Sequence, residues 1–259
     1  MVNLVSKNST TILKGGTGYN VQAKLPEHID ALDEDYSIYP DNNTSYGFIT
    51  RGCVRHCDFC FVFPKEGQLS FYRHPSKIIK HKRTEFLDNN FLAYDKKEEI
   101  LEYLIDKHHK ITFCQGLDFR YLTPPLSESL AKLNYDGEYI FAFDNISYEA
   151  QLQEKLNIFQ QAVPNPWRIK LFILVGYNST IKQDLYRINW CLKRKILPYV
   201  MRFQTCYNCE NTDFYTDLAA FANQPALIKK MSFEEYIYKR HANKKRADYS
   251  WAVYRANEL

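Results

Sequence analysis

The sequence predicts an α/β protein built around a parallel sheet. From Ser45 onward, six short β-rich runs alternate with stretches of helical period, and the connections between them are short. Ile169–Val175 is almost purely apolar, as expected of a parallel strand that is buried on both faces. This alternation fits either a doubly wound sheet or an incomplete barrel, and periodicity alone leaves both open.

The strands are predicted where β-branched and aromatic residues cluster between turn signals. They fall at residues 46–50, 85–88, 111–115, 139–143, 169–175 and 199–203. In both architectures ligands bind at the carboxyl ends of the parallel strands. We therefore expect the functional residues in the loops that follow these six strands.

The helices are predicted from apolar residues three and four positions apart and from capping signals. The first two are expected at residues 75–82 and 96–107, and three more follow Thr123-Pro124, Ser147 and the capping box Thr180-x-x-Gln183. The apolar stripes of these last three helices are Leu126, Leu130 and Leu133; Leu152, Leu156 and Phe159; and Leu185, Ile188, Leu192 and Ile196.

The pattern divides the chain into three segments. Residues 1–44 are predicted to be irregular, residues 45–205 form the α/β core, and residues 206–259 form a C-terminal extension that is partly helical, with a helix around 233–246.

The composition narrows the class of protein and its compartment. The net charge of +4, from 34 basic and 30 acidic residues, is too small an excess to indicate a nucleic-acid partner. No run of 18 apolar residues and no signal-peptide pattern occurs, so we expect a cytoplasmic protein without a membrane partner. In a reducing compartment its seven cysteines should be free thiols or metal ligands.

Three cysteines directly after the first predicted strand form the strongest motif. Cys53, Cys57 and Cys60 are spaced C-x3-C-x2-C, and such a group of thiolates selects zinc or an iron–sulfur cluster. A structural zinc normally has four ligands, so zinc would need a remote ligand such as His56, Cys114 or Cys206. A cubane cluster held by three cysteines instead keeps one iron open for a small molecule.

The loop resembles the C-x3-C-x-aromatic-C signature of the radical S-adenosylmethionine (SAM) superfamily, with Phe59 as the aromatic residue. Further similarities are found at residues 46–53, 65–67, 87–91, 115–118, 174–177 and 198–202. The ensemble is similar to uncharacterised radical SAM proteins of phage and anaerobe genomes, which are related to the cobalamin-dependent group. The larger relatives carry an additional N-terminal α/β domain, of which this chain has at most the last few dozen residues.

The resemblance implies a partial (β/α)6 TIM-like barrel with a [4Fe–4S] cluster on Cys53, Cys57 and Cys60. In the family, SAM binds the open iron and is reductively cleaved to a 5′-deoxyadenosyl radical that acts on a substrate. By strand position, the implied contacts with SAM or the substrate are Phe59, Asp88, Asn89, Asn90, Gln115, Asp118, Arg120, Asp144, Gly176 and Arg202. The usual Gly-Gly-Glu triplet is absent after the second strand.

The implied partner is a low-potential electron donor of the flavodoxin or ferredoxin type, and the substrate is not indicated. Several residues also have simpler interpretations. Asp88 and Asp144 are typical helix caps, Gln115, Asp118 and Arg120 could form a structural polar network, and Cys206 and Cys209 fit ordinary thiols as well as a redox pair. The alternative functions are a non-catalytic zinc- or iron–sulfur-binding module and a relic without turnover.

Overall fold

In the computed structural model, which describes residues 20–258, the chain is a mixed α/β protein with parallel sheets. Its strands are β1 (Thr44–Gly47), β2 (Thr50–Arg51), β3 (Ser70–Phe71), β4 (Arg83–Phe86), β5 (Lys110–Phe113), β6 (Tyr139–Ala142), β7 (Ile169–Val175) and β8 (Leu197–Arg202). Its helices are α1 (Glu27–Asp30), α2 (Val62–Glu66), α3 (Pro75–Ile78), α4 (Lys97–Lys107), α5 (Pro124–Lys132), α6 (Glu149–Ala162), α7 (Ile181–Lys193), α8 (Thr212–Ala222), α9 (Pro225–Ile228), α10 (Phe233–Arg240) and α11 (Lys244–Asn257).

The six predicted parallel strands form two three-stranded sheets in sequence order, β1-β4-β5 and β6-β7-β8. The two sheets meet at a parallel bridge between Ile111 and Tyr135, and Leu117 N–H donates to the Ile140 carbonyl at 2.7 Å. Within the described residues β1 pairs only with β4 and β8 only with β7, so the strands do not close into a barrel.

The first predicted strand is divided in the structure. The prediction placed one strand at residues 46–50, but β1 ends at Gly47 and β2 turns away to pair antiparallel with β3. The reason lies in the backbone N–H groups of Ile49 and Thr50, which donate to the side chain of Asp88 instead of continuing the parallel ladder. The antiparallel β2–β3 pair was not predicted.

Two of the three predicted helix caps are confirmed by their hydrogen bonds, whereas Ser147 does not cap α6, which follows Tyr148 without a side-chain cap hydrogen bond. Thr123 Oγ1 accepts from the backbone of Leu126, and Thr180 and Gln183 form a complete capping box at the start of α7. The helix predicted at 233–246 is two helices, because the chain leaves the helical path after Arg240 and Asn243 caps α11. Of the segment predicted to be irregular, residues 1–19 lie outside the described residues, and residues 20–43 contain only the short helix α1.

The C-terminal helices pack into the same apolar core as the sheets. The amide side chain of Asn223, just after α8, bonds to both the N–H and the carbonyl of Val200 in β8, at 2.6 and 3.0 Å. Phe214, Phe221 and Phe233 then join α8 to α10 through edge-to-face ring contacts. No helix among the described residues is long and apolar enough to cross a membrane.

A buried ion pair fixes the carboxyl ends of β6 and β7. Arg187 on α7 is 1% exposed and donates to Asp184 Oδ1 at 2.6 Å, and also to the carbonyls of Phe143, Asp144 and Leu174 at 2.7–2.9 Å. These carbonyls lie where the strands end and lack sheet partners, so the guanidinium replaces the missing hydrogen bonds. The pair therefore determines the backbone on which Asp144 stands.

Replacing Arg187 should destabilise the fold strongly. Arg187→Met leaves the Asp184 carboxylate and three carbonyls buried without their cation, so we expect the free energy of unfolding to fall by about 3–5 kcal/mol. Arg194→Met is the matched control, because Arg194 lies on the surface over the Trp190 ring, and should cost less than about 1 kcal/mol. Urea denaturation followed by circular dichroism measures both, and equal losses would contradict the role given to Arg187.

Candidate functional site

The three cysteines lie on the loop between β2 and α2, at the carboxyl end of the β1-β4-β5 sheet. All three are half-buried free thiols. Cys53 Sγ accepts from the backbone N–H of Arg55 at 3.3 Å and from Asn90 Nδ2 at 3.4 Å, while Cys60 Sγ accepts from Val62 N–H at 3.5 Å. N–H donors directed at sulfur are typical of loops that bind thiolate-ligated clusters.

Burial favours the protonated form of two thiols of the loop, Cys57 and Cys60. Burial, followed by the neighbouring Cys60, raises the pKa of the Cys57 thiol, and the positive charge of Arg120 lowers it part of the way back. Burial likewise raises the pKa of Cys60. Any metal or cluster bound here must therefore displace protons on binding.

Among the described residues, no group of three His, Cys, Asp or Glu side chains is arranged to hold a single metal ion. The suggested remote ligands have other surroundings. The His56 ring packs on Phe63 with centroids 3.6 Å apart, Cys114 Sγ donates to the Phe86 carbonyl, and Cys206 Sγ donates to the Val175 carbonyl. Each of these three side chains therefore has a partner other than the three cysteines.

Beside the cysteine loop is a cleft with a volume of about 430 Å³. It lies at the carboxyl ends of β5, β6 and β7, where the parallel architecture predicts a ligand. Residues from the loop and from all three strand ends line it, including Cys57, Phe59, Arg120, Asp144, Tyr148 and Tyr177. The arrangement brings one thiol of the loop, aromatic rings and charges of both signs to one place.

Of the residues predicted after β4, Asp88 lies behind the loop. It is fully buried, and its carboxylate accepts from the backbone N–H groups of Ile49 and Thr50 at 3.0 and 2.6 Å and from the Thr50 hydroxyl at 2.6 Å. Asp88 thus neither lines the cleft nor caps a helix. Asp88 instead fixes the backbone that leads into the cysteines.

Asn89 has a similar supporting position. Its amide donates to Glu66 Oε2 at 3.1 Å, and the same carboxylate accepts from the Gly52 N–H at 3.0 Å and from the Arg51 guanidinium at 3.2 Å. Glu66 thus ties the residue before Cys53 to the end of β4. No local sequence pattern indicates this role, since Glu66 is separated along the chain from Arg51, Gly52 and Asn89.

Asn90 and Asp118 lie together against the loop. Asn90 is 3% exposed, and its Nδ2 lies 3.4 Å from both Cys53 Sγ and Asp118 Oδ2, while its Oδ1 is buried and has no hydrogen-bond partner among the described residues. Burial alone would raise the pKa of Asp118, but the hydrogen bonds and charge of Arg120, with Arg55, lower it below its ordinary value. The predicted polar network around Asp118 and Arg120 is therefore present, and it includes the cysteine loop.

Asp144 and Phe59 line the cleft as predicted from strand position. Asp144 Oδ1 accepts from the Leu174 N–H at 3.1 Å, and burial raises the pKa of its carboxyl. Phe59 packs edge-to-face on Tyr177 with ring centroids 5.4 Å apart. Tyr177 and Tyr148 were not singled out from the sequence, because aromatic residues are common throughout the chain.

Of the ten predicted contacts only Phe59, Arg120 and Asp144 line the cleft, and Gln115 and Arg202 are two of those that do not. Gln115 is exposed, and its only hydrogen bond in the described structure is a 3.8 Å contact with Cys114 Sγ. Arg202 points to the other side of β8, where it donates to Thr216 of α8 at 2.7 Å and lies 4.4 Å from the centroid of the Tyr207 ring. The expectation for Arg202 is corrected by strand geometry, since successive side chains point to opposite faces.

Gly176 is required by packing against the C-terminal segment. Its φ of +74° is in the left-handed region, and a Cβ there would collide with Cys206 Sγ. Thr205 Oγ1 donates to the Gly176 carbonyl at 2.6 Å on the same side. The surface of Gly176 that was expected to contact SAM or the substrate is thus covered by residues 205 and 206.

Gly176→Ala should be more costly than the same change at a glycine with free space around it. Gly137 has a φ of +75° with no atom within 4 Å of an added Cβ, so Gly137→Ala should lower the free energy of unfolding by about 1–2 kcal/mol. We expect Gly176→Ala to cost about 1–3 kcal/mol more from overpacking, and Cys206→Ala to recover part of that loss. Chemical denaturation of Gly137→Ala, Gly176→Ala, Cys206→Ala and the Gly176→Ala/Cys206→Ala double variant tests this, and equal costs at the two glycines would contradict it.

Asp88 should make the stability depend on pH. Burial raises its pKa from 3.8 to about 6, although the hydrogen bonds from Thr50 and Ile49 lower it. A raised pKa in the folded state means that the stability present below pH 4 is lost as the pH rises through about 6, by roughly 3 kcal/mol in total. Asp88→Asn should make the slope between pH 4 and 7 clearly shallower, leaving only the part from Asp144 and Asp184, whose pKa values burial also raises.

Asp118→Asn is the control, because the pKa of Asp118 is lowered and its own contribution is lost only as the pH falls below about 4. Urea unfolding at several pH values would measure both slopes. A slope in Asp88→Asn as steep as in the wild-type protein would assign the pH dependence to other groups.

Comparison with known proteins adds no family to this description. No protein-family model matches the chain, and no curated protein matches it. The resemblance of the chain to radical SAM proteins therefore remains a prediction.

Proposed function

We propose that this chain is a radical SAM enzyme. It would hold a [4Fe–4S] cluster on Cys53, Cys57 and Cys60 and bind SAM in the adjacent cleft. The observation that carries the proposal is a loop of three half-buried thiols, spaced C-x3-C-x2-C, of which Cys57 lines a cleft of about 430 Å³ at the carboxyl ends of parallel strands. The partial (β/α)6 barrel belongs to the same proposal, supported by six parallel strands in sequence order.

The donor set suits a cluster. Thiolates are the preferred ligands of iron–sulfur clusters, and N–H groups already point at two of the three sulfurs. A cubane is bound with each thiolate on a different iron, so its ligands need not converge on one point. When bound, the cluster would supply the low-potential electron for reductive cleavage of SAM to a 5′-deoxyadenosyl radical.

The residues of the cleft suit a ligand that carries a flat ring and charges of both signs. Phe59 and Tyr177 offer aromatic surfaces, Asp144 offers a carboxylate and Arg120 a guanidinium. The buried Oδ1 of Asn90 is an acceptor without a partner among the described residues, as is common where a bound ligand supplies the donor. These residues would bind and orient SAM, and the surrounding rings would exclude water.

An electron donor of the flavodoxin or ferredoxin type would be the partner, and the substrate class is left open. The alternative function is a non-catalytic zinc- or iron–sulfur-binding module. The two differ in their bound metal and in SAM cleavage, and one experiment measures both.

We expect the anaerobically reconstituted protein, incubated with dithionite and SAM, to release 5′-deoxyadenosine, detected by liquid chromatography. Cys53→Ala, Cys57→Ala and Cys60→Ala should each reduce the product to background, because each removes one cluster ligand. Cys114→Ala is the matched control, since Cys114 is also half-buried at a strand end but lies outside the loop.

Metal and sulfide analysis of the same samples identifies the alternative. Stoichiometric zinc without sulfide, and no 5′-deoxyadenosine, would support the structural-metal module. Product that persists in Cys57→Ala would falsify the assignment of the cluster ligands.

A further inference from the structure

One side chain and one backbone group donate to Cys53, and both are tied to the same carboxylate. The sulfur accepts from Asn90 Nδ2 at 3.4 Å and from the backbone N–H of Arg55 at 3.3 Å. Asp118 Oδ2 accepts from the same Asn90 amide at 3.4 Å and from Arg55 Nε at 3.1 Å. Cys53 is thus held by two residues that meet at Asp118.

Asp118 is itself fixed. Its side chain is 4% exposed, and Arg120 binds it through Nε at 2.6 Å, through Nη2 at 3.0 Å and through its backbone N–H at 3.2 Å. Arg120 follows β5, Asn90 follows β4 and Arg55 lies within the cysteine loop. One carboxylate therefore joins two strand ends to the loop.

The same geometry sets the orientation of the Asn90 amide. The NH2 group has two hydrogens and lies near two acceptors, the Cys53 sulfur and the Asp118 carboxylate. The reversed amide would place its oxygen against both acceptors, which is repulsive. The cost of the present orientation is the buried Oδ1, which has no partner among the described residues.

We infer that Asp118 is a positioning residue that acts through Asn90 and Arg55 to hold Cys53 in place and to direct an N–H group at its sulfur. The inference rests on the proposed function in one respect, which is that Cys53 is a cluster ligand. Hydrogen bonds to a ligating sulfur favour the reduced state of a cluster, because reduction adds negative charge. Asn90 should then influence the reduction potential, and Asp118 should fix the loop.

The first measurement is hydrogen–deuterium exchange of the metal-free, reduced protein. Asn90→Leu removes the donor at similar size, and Asp118→Asn removes the shared carboxylate. We expect both to speed exchange in peptides covering residues 53–60 by roughly tenfold. The double variant should show little further increase, because the two residues act through the same contact.

The controls are an amide and a carboxylate at the other end of the same strands. Asn134 donates one hydrogen bond to the His108 carbonyl, and Asp136 pairs with Arg83 and Lys110. Asn134→Leu and Asp136→Asn should leave exchange in the cysteine loop at the wild-type rate. Loop exchange in Asn90→Leu and Asp118→Asn that equals the controls would overturn the inference.

The second measurement is a redox titration of the reconstituted cluster followed by electron paramagnetic resonance. Asn90→Leu keeps the net charge but loses the N–H donor, so its one-electron reduction should become about tenfold less favourable, a shift of about 59 mV to more negative potential. Asn134→Leu should not shift it. An unchanged reduction potential in Asn90→Leu would mean that Asn90 and Asp118 have only a structural role, and it would overturn the inference.

The two proposals fail differently. A wild-type protein that assembles no cluster, or one whose cluster does not cleave SAM, contradicts the proposed function. The exchange measurement needs no metal, so it still decides whether Asp118 holds the loop through Asn90.

Discussion

The hydrogen bonds from the backbone of Ile49 and Thr50 to the buried carboxylate of Asp88 determine where the cysteine loop begins. They end the parallel strand at Gly47 and redirect the chain into the β2–β3 pair. A parallel sheet offers no partner to N–H groups beyond its end, and burying them unpaired would be costly. The carboxylate at the end of the neighbouring strand satisfies them, so the position of the loop is tied to β4.

Other carboxylates likewise hold the chain in place around the site. Glu66 accepts a hydrogen bond from the backbone N–H of Gly52, and Asp118 forms ion pairs with Arg55 and Arg120. Asp184 pairs with Arg187, whose guanidinium donates to the carbonyls at the ends of β6 and β7. The pKa values of two carboxyl groups near the site move in opposite directions. Arginines lower the pKa of Asp118, whereas burial raises the pKa of Asp144. Asp118 is thus suited to a fixed ionic contact, whereas Asp144 borders the cleft and more readily takes up a proton.

These carboxylates explain why the elements were easier to predict than the site. The apolar strand Ile169–Val175, the cap at Thr123 and the capping box at Thr180 depend on neighbours in sequence, and all three are found where predicted. Glu66 and Arg187 act on partners far along the chain, and no local pattern marks them. Arg202 shows a further limit, because an error of one position in the face of a strand moves a side chain from the cleft to the opposite surface.

The C-terminal segment packs against the site, and this packing explains the role of Cys206. Cys206 is buried against Gly176, where burial raises its pKa to about 11, while Cys209 is exposed. The contact fixes the end of β7, from which Tyr177 reaches Phe59 on the cysteine loop and, on its other side, Phe203 at 4.7 Å. The Cys206 thiol fills the space beside Gly176, which has a positive φ, and so has a packing role. Its removal would loosen the end of β7, and Tyr177 would carry this change in packing to the cysteine loop. Cys206 therefore bears on the site by supporting its shape, which requires neither a metal nor a disulfide.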